Sequence, residues 1–396
     1  MRLTERMGAA AYIVSAMLLR VAGAGLGVAL PLAALERLGD VGIGGLLTAA
    51  ALAPGVVTAP FAGVALDRAR RPNLLIAGSG LVTALGMAVA AGLGAVPLPV
   101  VAIALAAAGA VNPFFMGGLS SFATDAIRDE RSAYAADAFS YNIGAVAGPA
   151  AVAGLVVVGS ASTALLVLAG ASAVGAIAVL PIRMSARTQE PVPVGRAIRD
   201  GIRWITRHRP LAVTTASGSL STLAGGALPV FAVTIALDAH RPAGQAGWLV
   251  TAFAIGTMAG FSLTVLPAVR RLPPALLMGA GFAIAGVLIA VSALDLGFIA
   301  TIVLLGAAGV PTAPAVSAML LLRKQESPPA VRGQVFTIAA ALRTVFPAAG
   351  AAVAAGLTGA PAPLLLLLLA VVWLASAAIM LGFPRSAQRR EIGAQA

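Results

Sequence analysis

Long apolar runs, each near the length a helix needs to cross a bilayer, alternate with short polar breaks along the whole chain. They fall at Ala10–Leu35, Val41–Leu66, Asn73–Leu93, Leu98–Phe122, Ala133–Val158 and Thr163–Pro181, and then at Leu211–Leu237, Ala246–Leu266, Pro274–Leu294, Phe298–Leu322, Val335–Leu357 and Pro363–Phe383. A helix needs roughly 20 apolar residues to cross hydrocarbon about 30 Å thick. Ala, Leu and Gly dominate the runs, and the alternating ten-residue pattern of barrel strands is missing, so the spans are helices. The pattern predicts an all-α integral membrane protein with twelve transmembrane helices. A polar break divides them into an N-terminal six-helix bundle (1–182), a cytoplasmic linker (183–209) and a C-terminal six-helix bundle (210–396).

Composition removes the soluble alternative. The chain is 60% hydrophobic and 10% charged, with a mean hydropathy of +0.98, whereas soluble domains carry about a quarter charged residues. In water it would expose apolar area it could not cover. The net charge of +12 does not signal nucleic acid, because the basic residues form no single patch. Instead they sort by side. Only Arg37 and Arg241 fall in the loops opposite to the N-terminus, and only Arg20 and Arg343 fall within spans. The rest, including Arg323, Lys324 and Arg332 between spans ten and eleven, share one side. The positive-inside rule makes that side cytoplasmic, with both termini on it, in a multi-pass protein of the cell membrane. With no cysteine in the chain, disulfides and thiolate metal sites are excluded. No removable signal peptide is expected, since the first apolar run is long enough to span.

Within the central break, Ile198, Ile202 and Ile205 share one helical face, while Arg196, Arg199, Arg203 and Arg207 share another, with Trp204 beside them. That pattern predicts an amphipathic helix in the cytoplasmic headgroup layer. The two halves also repeat. An offset of 202 carries Gly45 to Gly247, Arg68 to Arg270, Pro72 to Pro274, Gly148 to Gly350, Gly154 to Gly356 and Leu155 to Leu357. Ala29-Leu30-Pro31 recurs as Ala227-Leu228-Pro229, four residues short of that offset. Parallel six-span halves are a transporter architecture.

Between spans two and three stands Gly63-Val-Ala-Leu-Asp67-Arg68-Ala-Arg70-Arg71. It resembles the signature of the major facilitator superfamily in that loop: Gly, three residues, Asp, a base, then Gly and further bases. Gly63, Asp67, Arg68 and Arg71 match, whereas Arg70 replaces the usual Gly and Pro72 a frequent base. The resemblance implies the major facilitator fold and a conformational latch that joins the halves when the cavity faces outward. Asp125, Arg128, Arg131 and Arg332 in nearby loops are candidates to complete it, and Gly63 is expected to permit close helix approach. Ordinary topology explains Arg68, Arg70 and Arg71 as well, but not Asp67, because acids contribute little to orientation. Span five carries Gly144, Gly148 and Pro149, with Gly154 beyond, and looks like part of the glycine–proline motif of the family's proton-driven exporters. The motif's terminal paired glycines are replaced by Val152 and Ala153, and helix packing alone also accounts for glycines here.

Ionisable groups inside spans are costly and tend to be functional. The candidates for substrate or coupling are Arg20 in span one, Arg343 in span eleven, and Asp137 with Tyr141 and Asn142 in span five. The two arginines either attract an anionic or polar substrate group or are neutralised within their own half by carbonyls, Tyr141 or Asp137. No acid sits at a mid-span position, and span four lacks the family's usual base, so the resemblance implies proton coupling more than the residues do. Asp137 is the first candidate carrier and Asp67 the second. Thr214, Thr215, Ser217, Ser219 and Ser221 of span seven, with Asn112 and Thr312, either line a cavity or bond back to their own helices. Phe114, Phe115, Met116 and Phe231 would make a cavity otherwise apolar.

No enzyme constellation occurs: His208 and His240 both lie in loops, and no metal spacing or phosphate-cradling loop is present. Neither cofactor nor metal is expected. The expected function is a secondary transporter that exports a small amphiphilic or hydrophobic molecule by proton antiport through alternating access. Uptake or facilitated diffusion without protons is the first rival, and a channel or nontransporting scaffold the second. Expected partners are a small-molecule substrate, the lipid bilayer and, for antiport, protons. Nucleic acid is not expected, and a monomer is.

Overall fold

The computed structural model describes residues 3–184 and 194–384. Two compact units, Met1–Pro191 and Val192–Ala396, divide the chain. In the first unit the spans are α1 (Leu3–Leu38), α2 (Val41–Arg68), α3 (Pro72–Ala91), α4 (Leu98–Pro113), α5 (Glu130–Val158) and α6 (Ala161–Val179). The second unit opens with α7 (Val194–Arg207), the helix of the polar break. Its spans are α8 (Arg209–Asp238), α9 (Ala246–Phe261), α10 (Pro274–Ser292), α11 (Phe298–Gly309) continued as α12 (Thr312–Gln325), α13 (Pro329–Ala355) and α14 (Ala362–Met380). Among the described residues eleven helices are long and apolar enough to cross a bilayer, and α13 supplies a shorter apolar stretch, Ala341–Ala355. No β-strand forms among the described residues, apart from an isolated bridge between Leu93 and Val96.

Local chemistry sets the helix ends. Asp40 caps α2 by accepting from Gly42 N at 2.7 Å, Asp129 caps α5 through Ser132 N, and Ser160 caps α6 through Thr163 N. Pro72 and Pro274 stand at the first position of α3 and α10, where a missing N–H costs nothing. Span four loses its regular ladder after Pro113: residues Phe114–Gly118 form a π-turn, followed by one helical turn at Leu119–Ser121. Span ten breaks as well, between α11 and α12 at Val310 and Pro311. A proline ring removes a backbone donor and clashes with the preceding turn.

Inside the first unit α1 packs on α2, α5 and α6, α3 on α4 and α6, and α2 on α4. In the second, α8 packs on α13 and α14, α9 on α11, and α10 on α12 and α14. The duplication is spatial as well as sequential. A Cβ on Gly148 of α5 would stand 2.7 Å from Val21 O and 2.6 Å from Gly25 N of α1; one on Gly350 of α13 would stand 2.1 Å from Leu223 O and 3.2 Å from Ala227 N of α8. Those partners are related by the same 202-residue offset. At the opposite end of each unit an acid closing the first span caps the last: Glu36 Oε2 accepts from Ala161 N at 2.7 Å, and Asp238 Oδ2 from Ala362 N at 2.8 Å. Val57, Phe61, Ile103, Val158, Ile299, Val303 and Val371 stay exposed. Such a belt of large apolar side chains is stable only against lipid.

The apolar face of α7 is divided. Ile205 is buried against Leu211 and Val335, while Ile202 remains exposed. Trp204 stacks on His208 with ring centroids 3.7 Å apart. The partly buried Trp204 packs against the same cluster as Ile205. The side chains of Arg196 and Ile198 lie outside the described residues.

Candidate functional site

The strongest polar cluster sits in the first unit, where α1, the end of span four and α5 meet. Tyr12 and Arg20 lie on one face of α1, eight residues apart. On α5, Asp137, Ser140, Tyr141, Gly144 and Gly148 follow the helical three-and-four spacing and face α1 together. Gly144 lets the backbone of Arg20 come close: a Cβ there would meet Arg20 Cβ at 2.8 Å and its carbonyl carbon at 3.0 Å. Gly148 holds the contact one turn further along, beside the buried Pro149. In this conformation Gly144 and Gly148 thus set the α1–α5 distance, and with it the site.

Arg20 is 3% exposed. Its Nη2 pairs with Asp137 Oδ1 at 2.6 Å and donates to Ser120 Oγ at 2.7 Å; its Nη1 donates to the Asp137 carbonyl at 2.8 Å and to Ser140 Oγ. Asp137 Oδ1 also accepts from Tyr12 Oη at 2.6 Å. Ser120 Oγ lies 3.0 Å from both Asp137 Oδ1 and the Met116 carbonyl, so its one proton serves either. The Tyr141 ring lies under the guanidinium, 3.5 Å from Cζ to the centroid, and its hydroxyl donates to Met116 O at 2.5 Å. Met116 belongs to the π-turn, and such turns recur at functional sites. Arg20 and Asp137 thus form a buried ion pair. A buried charge is tolerated when paired and hydrogen-bonded, and this one is.

Of the residues singled out from sequence, Arg20, Asp137 and Tyr141 come together, with Gly144, Gly148 and Pro149 behind them. Asn142 is half-buried on the next face of α5 and makes no hydrogen bond among the described residues. Arg343 belongs to the other unit, on an exposed position of α13. Sequence reasoning missed Tyr12, Ser120 and Ser140. The eight-residue step from Tyr12 to Arg20 was a usable signal, but nothing local indicates that Ser120 turns toward them.

The latch motif occupies the last turn of α2 and the turn into α3. Arg68, Arg70 and Arg71 are exposed, and Asp67 is half-buried without an ion pair or hydrogen bond among the described residues. Within its own unit nothing lies within 4 Å of a Cβ placed on Gly63 or Gly154. Asp125 and Arg128 each have a polar or electrostatic partner, while the side chains of Arg131 and Arg332 lie outside the described residues.

The span-seven hydroxyls on α8 divide. Thr214 bonds back to Pro210 O, Ser221 to Gly218 O, and Ser217 crosses to Ser376 O of α14 at 2.7 Å, whereas Thr215 and Ser219 are buried without a partner among the described residues. Arg323, counted with the loop charges in sequence, lies in the last turn of α12 and is 1% exposed. A small cavity of about 70 Å³ opens beside Thr48, Thr83 and Asn112 in the first unit.

Two units of six spans, an internal duplication and a buried polar cluster define a membrane transporter fold. The model of the Major Facilitator Superfamily matches residues 12–215. An uncharacterized MFS-type transporter of Sinorhizobium fredii, y4rN, is 28% identical over 367 residues, 89% of each chain. Among solved structures, the nucleoside transporter NupG superposes with a TM-score of 0.80 at 13% identity, covering 96% of this chain and 100% of that one. The POT family transporter PepTSo gives 0.75 at 15%, covering 97% and 98%. A bacterial homolog of the human lysosomal transporter Spinster, inward-facing, gives 0.70 at 14%, covering 96% and 98%. The chain belongs to the Major Facilitator Superfamily and is a multi-pass membrane transporter.

Proposed function

We propose that this transporter exports a small amphiphilic molecule by proton antiport, with Asp137 as the proton carrier and Arg20 as its switchable partner. The observation that carries the reading is the convergence of Arg20, Tyr12 and Ser120 on one oxygen of Asp137, deep between α1 and α5. A proton arriving at Asp137 removes the counter-charge of Arg20 and breaks up the three-donor arrangement. The α1–α5 contact must then readjust, and Gly144 and Gly148 leave the two backbones close enough to slide. Protonation thereby acts on the packing of two spans within the first unit, and alternating access then requires that packing to bias the rocking of the halves. The sidedness of the basic residues supports a cell-membrane protein with both termini in the cytoplasm, and Asp67 with Arg68 and Arg71 supports a latch on that side.

The test is drug or dye accumulation in inside-out vesicles with an imposed pH gradient. Asp137→Asn is expected to abolish gradient-driven accumulation while leaving membrane insertion intact. Arg20→Gln is expected to abolish transport altogether. Full pH-driven accumulation by the Asp137→Asn protein excludes this carrier, and accumulation in wild type indifferent to the gradient favours the uncoupled facilitator. That second reading draws on the scarcity of acids within the spans.

A further inference from the structure

Arg323 stands out in the second unit because it lacks what Arg20 has. Its guanidinium is buried between α12 and α8, and neither Nε nor Nη2 has a hydrogen-bond partner among the described residues. No carboxylate pairs with it there. The neighbouring positive charge of Arg343 on α13 adds repulsion instead of relief. The guanidinium lies against Gly218 of α8: a Cβ at that position would meet Met319 Sδ at 2.2 Å and Arg323 Nη2 at 3.2 Å. Glycine is therefore what makes room for the charge. Thr215 precedes Gly218 by one turn and Ser219 follows it, so both fall within about 100° of α8 surface around the same point. Their hydroxyls, like that of Thr234 nearer the far end of α8, are buried without partners among the described residues. A guanidinium with two free donor atoms, on the stretch of α8 that also carries unpaired hydroxyls, suits oxygen atoms that carry negative charge.

We propose that the second unit holds an anion site in which Arg323, assisted by Thr215 and Ser219, binds the carboxylate or phosphate oxygens of a ligand. Burying a guanidinium without a counter-ion is costly, and the fold tolerates that cost because an anion is recruited to it. Arg323 is closed off in the conformation seen, and the break between α11 and α12 at Val310 and Pro311 gives α12 a joint at which the site opens. The claim that the anion is cargo rests on the export reading above; the claim that the site binds an anion does not.

The experiment uses the purified full-length protein in detergent, followed by its thermal unfolding midpoint. Sodium benzoate and inorganic phosphate are titrated against sodium chloride at constant ionic strength. A parallel arm compares nanodiscs of phosphatidylglycerol with nanodiscs of phosphatidylcholine. Wild type is expected to gain about 3 °C or more, saturably, with at least one of the oxyanions. Arg323→Gln and Arg323→Met should lose the gain, and both should unfold at or above the ligand-free wild-type midpoint, since each removes an unpaired charge. Thr215→Val and Ser219→Ala should raise the half-saturating concentration about 5-fold, while Arg241→Gln, in a loop, should leave it unchanged. An Arg323-dependent gain from phosphatidylglycerol alone supports the site and makes its ligand a lipid headgroup. The same gain in both Arg323 variants, or no saturable gain from any of the three, overturns the proposal. Because unfolding requires no transport, a failed antiport assay leaves the site standing. An absent anion effect leaves antiport standing with a different cargo.

Discussion

Among the described residues each unit buries one arginine, and the two are treated in opposite ways. In the first unit Arg20 receives a carboxylate, two serine oxygens, a carbonyl and an aromatic face. In the second, Arg323 is left with two donor atoms unsatisfied and a second arginine nearby. The backbone framework around them is duplicated, down to the glycine contacts of α1 with α5 and of α8 with α13 and the acid that caps the last span of each unit. Divergence has therefore fallen on side chains within a conserved frame. The 202 offset sends Arg20 to Thr222 and Asp137 to Ala339, so the second unit has no copy of the ion pair. A cluster whose charge is paired, with only Nε of Arg20 left without a partner, suits a switch that a proton opens, while a cation without a counter-ion suits a site that a ligand completes.

The comparison is sharpest in stability. Arg20→Gln, or Asp137→Asn alone, leaves one charge of a buried pair uncompensated and is expected to cost about 3 kcal/mol. The double variant should recover much of that loss, a coupling readable as a double-mutant cycle by denaturation in detergent. Arg323→Met should go the other way and be neutral or stabilising by about 1 kcal/mol; a loss as large as that of Arg20→Gln would abolish the contrast.

The duplicated frame can be probed next. Gly350→Ala places a methyl group 2.1 Å from Leu223 O and is expected to cost about 2 kcal/mol by forcing α8 and α13 apart. Gly63→Ala, with nothing nearby in its unit, should leave stability unchanged within measurement. Equal losses at both positions would mean that the glycine contacts do not set the helix spacing. Glu36→Ala and Asp238→Ala each remove an acceptor from the start of a last span and should cost about 1 kcal/mol apiece, adding without interaction because they serve separate units. The smallest effect lies at the α5 cap. The Ser132 hydroxyl, and after it the Ser132 backbone N–H, hold the Asp129 carboxyl below its ordinary range. A depressed folded value means that the contribution is present above the ordinary carboxylate range and is lost as pH falls through the folded value. Asp129→Asn should flatten that acid limb in a pH series of melting points.

Some of this was legible before any coordinates. Asp137 and Tyr141 were visible as polar residues one turn apart in an apolar helix, and Arg20 as a charge in a span. The pairing of Arg20 with Asp137 was one of two alternatives until packing decided it, because the residues are 117 positions apart. Arg323 was read as a loop charge because it directly follows the apolar run ending at Leu322 and precedes Lys324. The run length tells where hydrocarbon ends and says nothing about whether a neighbouring helix covers the next residue.

The sequence by itself determined the solvent, the spans and the two-fold repetition. Each of these depends on quantities that add up locally along the chain: apolar length and matches at a fixed offset. The tertiary structure alone decided which charges are satisfied and which glycines are contacts, since both are properties of facing helix surfaces. Gly63 and Gly350 are equally glycine in the sequence, and Arg20 and Arg323 equally arginine. What separates them is the backbone or side chain that happens to stand opposite, within a few ångströms.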